Sequence, residues 1–454
     1  MKFLKTNKFL TGALILAAAG ILSRVIGVIF RIPLTNIVGS YGMGLYQMVF
    51  PLYALLLIVS SAGVPVAISK MIAKRREDHE YCKTVLYNAA FLLGAIGLVV
   101  SIIFAGISGL LASIQGENIS IIYLAIAPSV FIVCIIAAFR GYFQGLQNMV
   151  PTAVSQIVEQ VVKVTVGLTL ALILIQQSVE LAVFGAIVAV TISEIVALIY
   201  LWVTYRFSAK KKTTKKVKPN LDKKLMKEIL LTSLPITAMA TIFPLILVFD
   251  SMVIVNFLRW GGAEGREATQ LFGIQSGVVH TLINLPAVIG VALATAIVPA
   301  ISRLLKKQKV DEAHQKGKQA ILITVAVATF FTITYLIFAP LILNILYGST
   351  LNGEHHDIAV NLLRIESIMI IFLVLSQTFS AILQSADKSK LPLIAIAIGG
   401  GVKVIFELVF LVPVGIYAVS ISNILCFAVA GSINAYFVYK HFFSRQKYQK
   451  KVIL

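Results

Sequence analysis

Charge and cysteine are both scarce in this sequence. Only 13% of its 454 residues are charged, against about 25% in typical soluble proteins, so the composition excludes an ordinary soluble domain. The three cysteines, Cys82, Cys134 and Cys426, are odd in number and lie scattered in or beside apolar segments. They indicate neither a disulfide framework nor a metal site.

Several enzyme motifs are absent as well. The sequence contains no G-x-x-x-x-G-K-[ST] phosphate loop and no H-E-x-x-H zinc motif. It also lacks the D-x-D pair that would hold a metal ion in a nucleotide-sugar transferase. ATP hydrolysis through a phosphate loop is therefore excluded. We do not predict an enzyme, and we expect no cofactor beyond a coupling ion, Na⁺ or H⁺.

Long apolar runs, by contrast, fill the chain from end to end, and 59% of the residues are hydrophobic. A run of about 20 apolar residues is long enough to cross a bilayer as a helix. The sequence therefore predicts an all-α polytopic membrane protein with about twelve transmembrane helices. The predicted spans are roughly 9–30, 44–69, 84–112, 119–143, 152–176, 180–205, 228–257, 271–301, 319–346, 358–384, 391–412 and 415–439.

The basic residues, which give a net charge of +20, are concentrated on one side of the predicted membrane. The two tails and the even-numbered connections hold 31 of the 39 Lys and Arg residues, whereas the opposite connections hold only Arg259 and Arg266. The positive-inside rule then predicts a bacterial cytoplasmic membrane protein with both termini in the cytoplasm. Topology explains the charge without a nucleic-acid partner, and the basic loops can also attract anionic membrane lipids.

The two halves of the sequence repeat each other weakly. "AISKMIAKRRED" from Ala67 matches "AISRLLKKQKVD" from Ala300, and "FRGYFQGLQNMVP" from Phe139 matches "FSAILQSADKSKLP" from Phe379. Six spans separate each pair, so the repeats share one orientation, as in transporters built from parallel repeats. We predict an N-lobe over residues 1–208, a basic cytoplasmic linker over 209–227, and a C-lobe over 228–454 that ends in a basic cytoplasmic tail.

Ionisable residues at membrane depth are the main candidates for function. Each costs about 2.5–3.5 kcal/mol at a helix centre, so these side chains are expected to face water or one another. We also include His280, which shares a helix face with Asn284. The basic candidates are Arg24, Arg31, Arg140, Lys163, Arg364 and Lys403, and the acidic ones are Glu159, Glu194, Asp250, Glu366 and Glu407.

Helical spacing gives part of their geometry. Three sets share a helix face: Arg24 and Arg31 with Gly20 and Gly27, Glu159 with Lys163, and Lys403 with Glu407. We also expect helix breaks at Pro235 and Pro244. The two acid–base pairs could equally neutralise themselves between packed helices, and His280 could be a packing residue. Side chains near the interface could snorkel instead, which applies to Arg31, Arg140 and Arg364.

A set of Arg and Lys side chains favours an anionic solute, because guanidinium binds phosphate through a planar fork of donors. Lipid phosphates and diphosphates are the natural anions of a membrane. Six basic residues stand against five acidic ones at membrane depth. The balance of charged residues therefore slightly favours an anionic solute but does not identify the solute.

Three segments carry a resemblance to a known family. "SRVIGVIFR" from Ser23, "VGSYGMGLYQMVFPLY" from Val38 and "SSAGVPVAISKMIAK" from Ser60 resemble the start of the SpoVB/MurJ-like polysaccharide biosynthesis proteins. These belong to the multidrug/oligosaccharidyl-lipid/polysaccharide exporter (MOP) superfamily. The resemblance implies two pseudo-symmetric six-helix lobes in a V around a central cavity. It also implies a monomer that flips undecaprenyl-diphosphate-linked glycans, such as lipid II, by alternating access.

The resemblance also implies roles for the candidates. Arg24 and Arg31 match the arginines of helix 1 that are expected to engage the diphosphate. The paired charges on matching helices of the two halves add a hypothesis of our own, in which Lys163, Arg364 and Lys403 supply further positive potential. Gating or ion coupling would fall to Glu159, Glu194, Asp250, His280, Glu366 and Glu407. Many relatives have fourteen helices, and the last two help to form a groove for the lipid tail. With twelve predicted spans, we expect the headgroup cavity but not this groove. The alternative is a MATE-like Na⁺- or H⁺-coupled exporter, with Asp250 and Glu159 as its ion site.

Overall fold

The structure, a computed structural model, describes residues 8–61, 63–210 and 220–444, and these residues form helices and short connections without a strand. Two short π-helical turns, Gly273–Val279 and Tyr439–Phe443, interrupt the α-helices. The α-helices are α1 Lys8–Ser61, α2 Val64–Lys74, α3 His79–Gly106, α4 Ser108–Gln115, α5 Ser120–Gly145, α6 Val150–Leu174, α7 Val179–Lys210, α8 Lys223–Trp260, α9 Glu267–Phe272, α10 His280–Lys306, α11 Val310–Tyr347, α12 Glu354–Ser385, α13 Lys390–Val414 and α14 Tyr417–Val438.

Eleven helical segments within the described residues are long and apolar enough to cross a membrane. The first, Leu14–Lys74, has 61 residues. At 1.5 Å per residue it would be about 90 Å long, three times a hydrocarbon core of about 30 Å. Its path changes at Gly39, where φ is 74° and ψ is 178°, so it accounts for the first two predicted spans. The predicted all-α polytopic membrane fold is confirmed.

The chain forms two compact units. The first comprises Met1–Val38 and Leu45–Met252, and the second comprises Gly39–Gly44 and Val253–Leu454. In the first unit α5 packs against α2, α3 and α7, and α6 packs against α7. In the second unit α12 packs against α10, α11 and α14, and α13 packs against α14. Equivalent helices thus pack in the same order in each unit, in line with the sequence repeat.

Polar contacts attach most of α8 to the first unit. Asn88 of α3 donates from Nδ2 to the Asn220 carbonyl at 3.0 Å and accepts from the Asp222 amide at 2.7 Å. Farther along α8, the Gly63 amide donates to Thr237 Oγ1 at 3.2 Å, and Gln115 donates to the Ser251 carbonyl at 3.0 Å. These contacts hold the helix that carries Asp250.

The helix breaks expected at Pro235 and Pro244 are wrong. Both prolines lie inside α8, which runs without interruption from Lys223 to Trp260. Transmembrane helices tolerate proline because neighbouring side chains and small local adjustments satisfy the freed backbone carbonyls. Asp250 is therefore placed by a continuous helix rather than by a loop.

Replacing Asn88 with alanine is expected to destabilise the first unit. The variant loses two hydrogen bonds that hold residues 220 and 222 against α3, each contributing about 0.5–1.5 kcal/mol. We expect a loss of about 1–3 kcal/mol, measured as a lower midpoint of thermal unfolding in detergent. Asn148→Ala is the control, because Asn148 is exposed. Equal midpoints for the two variants would contradict this role of Asn88.

Candidate functional site

Four helices of the first unit bring charged side chains together at membrane depth. We name the first charge cluster as Arg31 of α1, Arg140 of α5, Glu159 and Lys163 of α6, and Glu194 of α7. Helix α6 begins at Val150, shortly before Glu159 and Lys163, and has Pro151 in its first turn. Proline is favourable there because the first amides of a helix have no partner within the helix and because its fixed φ suits a helix start. All five residues were sequence candidates, and the fold brings them into one region.

Arg140 and Glu159 form the ion pair of the first charge cluster. Arg140 Nη2 lies 2.9 Å from Glu159 Oε2, and the two side chains are 18% and 23% exposed. Arg140 Nε also donates to Ser155 Oγ at 3.1 Å. Sequence spacing predicted Lys163 as the partner of Glu159. The structure instead joins Glu159 to an arginine of another helix, and Lys163 remains close enough to interact with its charge.

Arg31 and Lys163 lie near each other and are both half-buried. Each interacts electrostatically with the other. Arg31 Cζ lies 5.7 Å from the ring centroid of Phe50, and Lys163 Nζ lies 5.9 Å from that of Phe30. Aromatic rings attract cations at such distances. The rings thus help to hold two like charges side by side, an arrangement that favours a bound anion.

Glu194 is the buried acid of the first charge cluster. It is 1% exposed and accepts a hydrogen bond at Oε1 from the Tyr53 hydroxyl. Its Oε2 has no hydrogen-bond partner among the residues described. The sequence candidates did not include Tyr53. Its position among aromatic residues inside α1 gave no sign of an acid 141 residues away.

Arg24 and Asp250 differ from the cluster in their surroundings. Arg24 is exposed on α1, and no ion-pair partner for it occurs in the described part of the chain. Its guanidinium is therefore free to meet a ligand or a lipid headgroup. Asp250 is half-buried on α8, beside the carbonyl of Ser251 that Gln115 binds.

In the second unit, a buried carboxylate is held by two amides. Glu366 of α12 is 0% exposed. Its Oε1 accepts from Gln275 Nε2 at 2.9 Å and from Asn423 Nδ2 at 2.8 Å. Gln275 lies in the π-helical turn Gly273–Val279, and such turns recur at functional sites. Sequence reasoning found the acid but missed both amides, which come from distant helices.

Lys403 and Glu407 form the predicted i,i+4 pair on α13. Lys403 Nζ lies 3.1 Å from Glu407 Oε1, with side-chain exposures of 3% and 0%. Ser422 of α14 donates to the same Glu407 oxygen at 2.6 Å. Lys403 is also close enough to Glu366 to interact with its charge. We call Glu366, Lys403 and Glu407 the second charge cluster.

The remaining two candidates of the second unit lie outside this cluster. Arg364 is exposed on α12, and its Nε donates to the Leu336 carbonyl at 3.2 Å. His280 is half-buried at the start of α10, directly after the π-helical turn. Within residues 8–61, 63–210 and 220–444, no group of three His, Cys, Asp or Glu side chains could hold a metal ion.

The two clusters are suited to different chemistry. The first presents Arg31 and Lys163 side by side and half-exposed, so it can bind a phosphate-bearing group through charge-assisted hydrogen bonds. The second is fully buried and contains two acids and one base. A buried group of this kind responds to the gain or loss of one cation or proton, because low-dielectric surroundings make each charge costly.

Comparisons with known proteins identify the family of the chain. The family model described as "Polysaccharide biosynthesis protein" matches residues 9–305, and the model described as "MatE" matches residues 276–409. Stage V sporulation protein B of Bacillus subtilis is 31% identical over 351 residues, 75% of this chain and 67% of that protein. The lipid II flippase MurJ of the same organism is 25% identical over 437 residues, 90% of this chain and 77% of that protein.

The fold is shared with solved transporters. An inward-facing conformation of a multidrug resistance MATE family transporter of the MOP superfamily superposes with a TM-score of 0.76 at 16% identity. The match covers 93% of this chain and 94% of that one. The resemblance carried by the three segments from Ser23, Val38 and Ser60 is confirmed by the family model and the relatives. The chain belongs to the polysaccharide biosynthesis protein family, a family of transporters and flippases in the MOP superfamily and not of enzymes.

Proposed function

We propose that this transporter is a flippase for a polyprenyl-diphosphate-linked glycan, such as lipid II or a related precursor of the cell wall or spore cortex. The observation that carries the proposal is the pair of half-buried bases Arg31 and Lys163, whose charges are close enough to interact. Two cations held close together at membrane depth repel each other, and a membrane-borne anion would relieve that repulsion. A lipid diphosphate carries the anion and the membrane anchor in one molecule.

The relatives support this choice of substrate. One of them is named a lipid II flippase and another a stage V sporulation protein. Both are consistent with a lipid-linked precursor as cargo. We propose that Arg24, being exposed, makes the first contact with the diphosphate, and that Arg31 and Lys163 hold it deeper. Arg364 and Lys403 add positive potential in the second unit.

We further propose that the acids set which conformation is stable. Glu159 neutralises Arg140 at 2.9 Å, and a substrate that competes for the bases would loosen such pairs. Glu194, Asp250, His280, Glu366 and Glu407 complete the proposed gating and coupling set. We also propose that the protein lies in a bacterial cytoplasmic membrane with both termini in the cytoplasm, as the distribution of Lys and Arg predicts. We propose a monomer as its working form.

Native mass spectrometry of the gently purified protein tests the substrate class. We expect an adduct with the mass of a polyprenyl diphosphate glycan, because the diphosphate would be held by charge-assisted hydrogen bonds. Arg31→Ala should lose this adduct, whereas Lys316→Ala, at an exposed lysine that contacts Gln319, should keep it. Adducts of ordinary phospholipids alone, in the wild type and both variants, would contradict the proposal.

A cation-coupled exporter of small solutes is the second candidate. The match of the MatE model to residues 276–409 favours it, and the buried Glu366 lies in that range. Uptake of a cationic dye into vesicles, driven by an imposed Na⁺ or H⁺ gradient, would support this reading. The flippase proposal predicts no such uptake, while the lipid-linked glycan crosses the same vesicles.

A further inference from the structure

Among the buried oxygens that have no hydrogen-bond partner within the described residues, three uncharged ones lie on α1 and α6. They are Ser23 Oγ of α1 and the side-chain carbonyl oxygens of Gln156 and Gln160 of α6. Leaving a polar atom buried and unpaired is unfavourable, so native structures rarely do it without a reason. Three such oxygens on two facing helices indicate a site that a ligand completes.

Contacts between α1 and α6 place Gln160 Oε1 beside Gly27 of α1. A Cβ added at Gly12 would lie 2.8 Å from Met149 Cγ, and one added at Gly27 would lie 3.6 Å from Gln160 Oε1. Since both helices advance together, Ser23, one turn before Gly27, is at the level of Gln156, one turn before Gln160. We call Ser23, Gly27, Gln156 and Gln160 the α1/α6 seam.

Arg31 and Lys163 lie directly beyond the C-terminal end of the α1/α6 seam. Arg31 follows Gly27 by one turn of α1, and Lys163 follows Gln160 by three residues on α6. A Cβ added at Gly167 would lie 3.2 Å from the Phe30 ring, so the two helices remain close there. A ligand lying along the seam would therefore meet cations at one end and hydrogen-bond acceptors at the other.

The chemistry of the three oxygens limits which groups of a ligand can pair with them. A glutamine carbonyl accepts only, and a serine hydroxyl can accept or donate. Hydrocarbon would leave these oxygens unpaired, and an ionised phosphate has no hydrogens to give them. Hydroxyl and amide N–H groups fit, and N-acetylated sugars carry both.

We propose that the α1/α6 seam is a subsite for the sugar attached to the diphosphate, recognised through its hydroxyl and amide N–H donors. This inference rests on the proposed function, since Arg31 and Lys163 would hold the diphosphate beside the seam. Helices α1 and α6 both begin on the predicted cytoplasmic side, and the seam precedes the basic pair in each. The sugar would therefore lie on the cytoplasmic side of the diphosphate.

The test compares two lipids on the protein in nanodiscs: a polyprenyl diphosphate that carries an N-acetylhexosamine and the same polyprenyl diphosphate without a sugar. Gln156→Met with Gln160→Met keeps the volume and removes both acceptors, together with the 3.4 Å hydrogen bond that Gln160 Nε2 donates to Glu159 Oε1. We expect about tenfold weaker binding of the sugar-bearing lipid, from two lost hydrogen bonds, and unchanged binding of the bare diphosphate. Thr165→Val is the matched control, because Thr165 is exposed on α6 and bonds to its own helix.

The outcomes separate the two proposals. Arg31→Ala should weaken binding of both lipids, and failure of the wild type to bind either lipid would overturn the flippase proposal and the seam together. Equal losses for both lipids in the methionine variant, or no loss, would overturn the seam alone. Gln156→Met by itself is the second variant if the double one does not fold. Gln156→Met alone should unfold no earlier than the wild type in the absence of lipid, since it removes an unpaired buried oxygen.

Discussion

Replacing Lys403 with methionine is expected to cost about 3–5 kcal/mol of stability, the usual penalty for breaking a buried ion pair. The substitution leaves Glu407, which is 0% exposed, without the ammonium group 3.1 Å away. It also removes the nearby positive charge from Glu366. The expected result is a much lower yield of folded protein and a much lower midpoint of thermal unfolding.

A second variant separates the lost charge from lost packing. Lys403→Met combined with Glu407→Met removes both charges, and a buried ion pair replaced by apolar residues of similar size is often neutral or stabilising. Most of the lost stability should therefore return in the double variant. Lys390→Met, at an exposed lysine on the same helix, is the control and should match the wild type. A single Lys403 variant as stable as the wild type would show that the pair does not hold α13.

Replacing the two arginines of α1 is expected to have the largest effect on transport. Hydrogen bonds to charged groups contribute about 1.5–3 kcal/mol each, equivalent to roughly 10- to 150-fold in rate or affinity. Arg24→Ala and Arg31→Ala should each slow translocation at least tenfold, and the double variant should reduce it further. Lys306→Ala, at an exposed basic residue at the end of α10, is the control and should leave the rate unchanged.

Local pairs could be predicted from the sequence, whereas tertiary pairs could not. Lys403 and Glu407 meet because four residues separate them on one helix, and the spacing was sufficient to predict the 3.1 Å contact. Glu159 has a similar neighbour in Lys163. Its ion pair forms instead with Arg140, 19 residues earlier on another helix, because packing of α5 and α6 decides which base lies nearest.

The partners of the buried acids were also beyond reach of the sequence. Tyr53 and Glu194 are 141 residues apart, and Gln275 and Glu366 are 91 apart. Tyr53 and Gln275 are uncharged, and nothing in the sequence indicates that either contacts a buried acid. A search for ionisable residues at membrane depth therefore does not find them. The linker over 209–227 as the boundary between lobes stays a prediction, and residues 211–219 lie outside the described residues.

Membrane orientation and fold class came from patterns that depend on the whole chain. Apolar length predicts the spans because the bilayer fixes a minimum of about 20 residues, and the structure confirms the membrane fold. The solute is a property of a few side chains, so it does not follow from these patterns. It depends on how Arg24, Arg31 and Lys163 act on a ligand.

Translocation by the purified protein in sealed vesicles tests the central claim most directly. A fluorescent polyprenyl-diphosphate-linked glycan is placed in the vesicles, and its appearance in the outer leaflet is followed by quenching from outside. The account predicts fast exchange between leaflets with the wild type and a rate at least tenfold lower with Arg24→Ala at equal protein content. Exchange no faster than in protein-free vesicles, or equal rates for the wild type and Arg24→Ala, would contradict it.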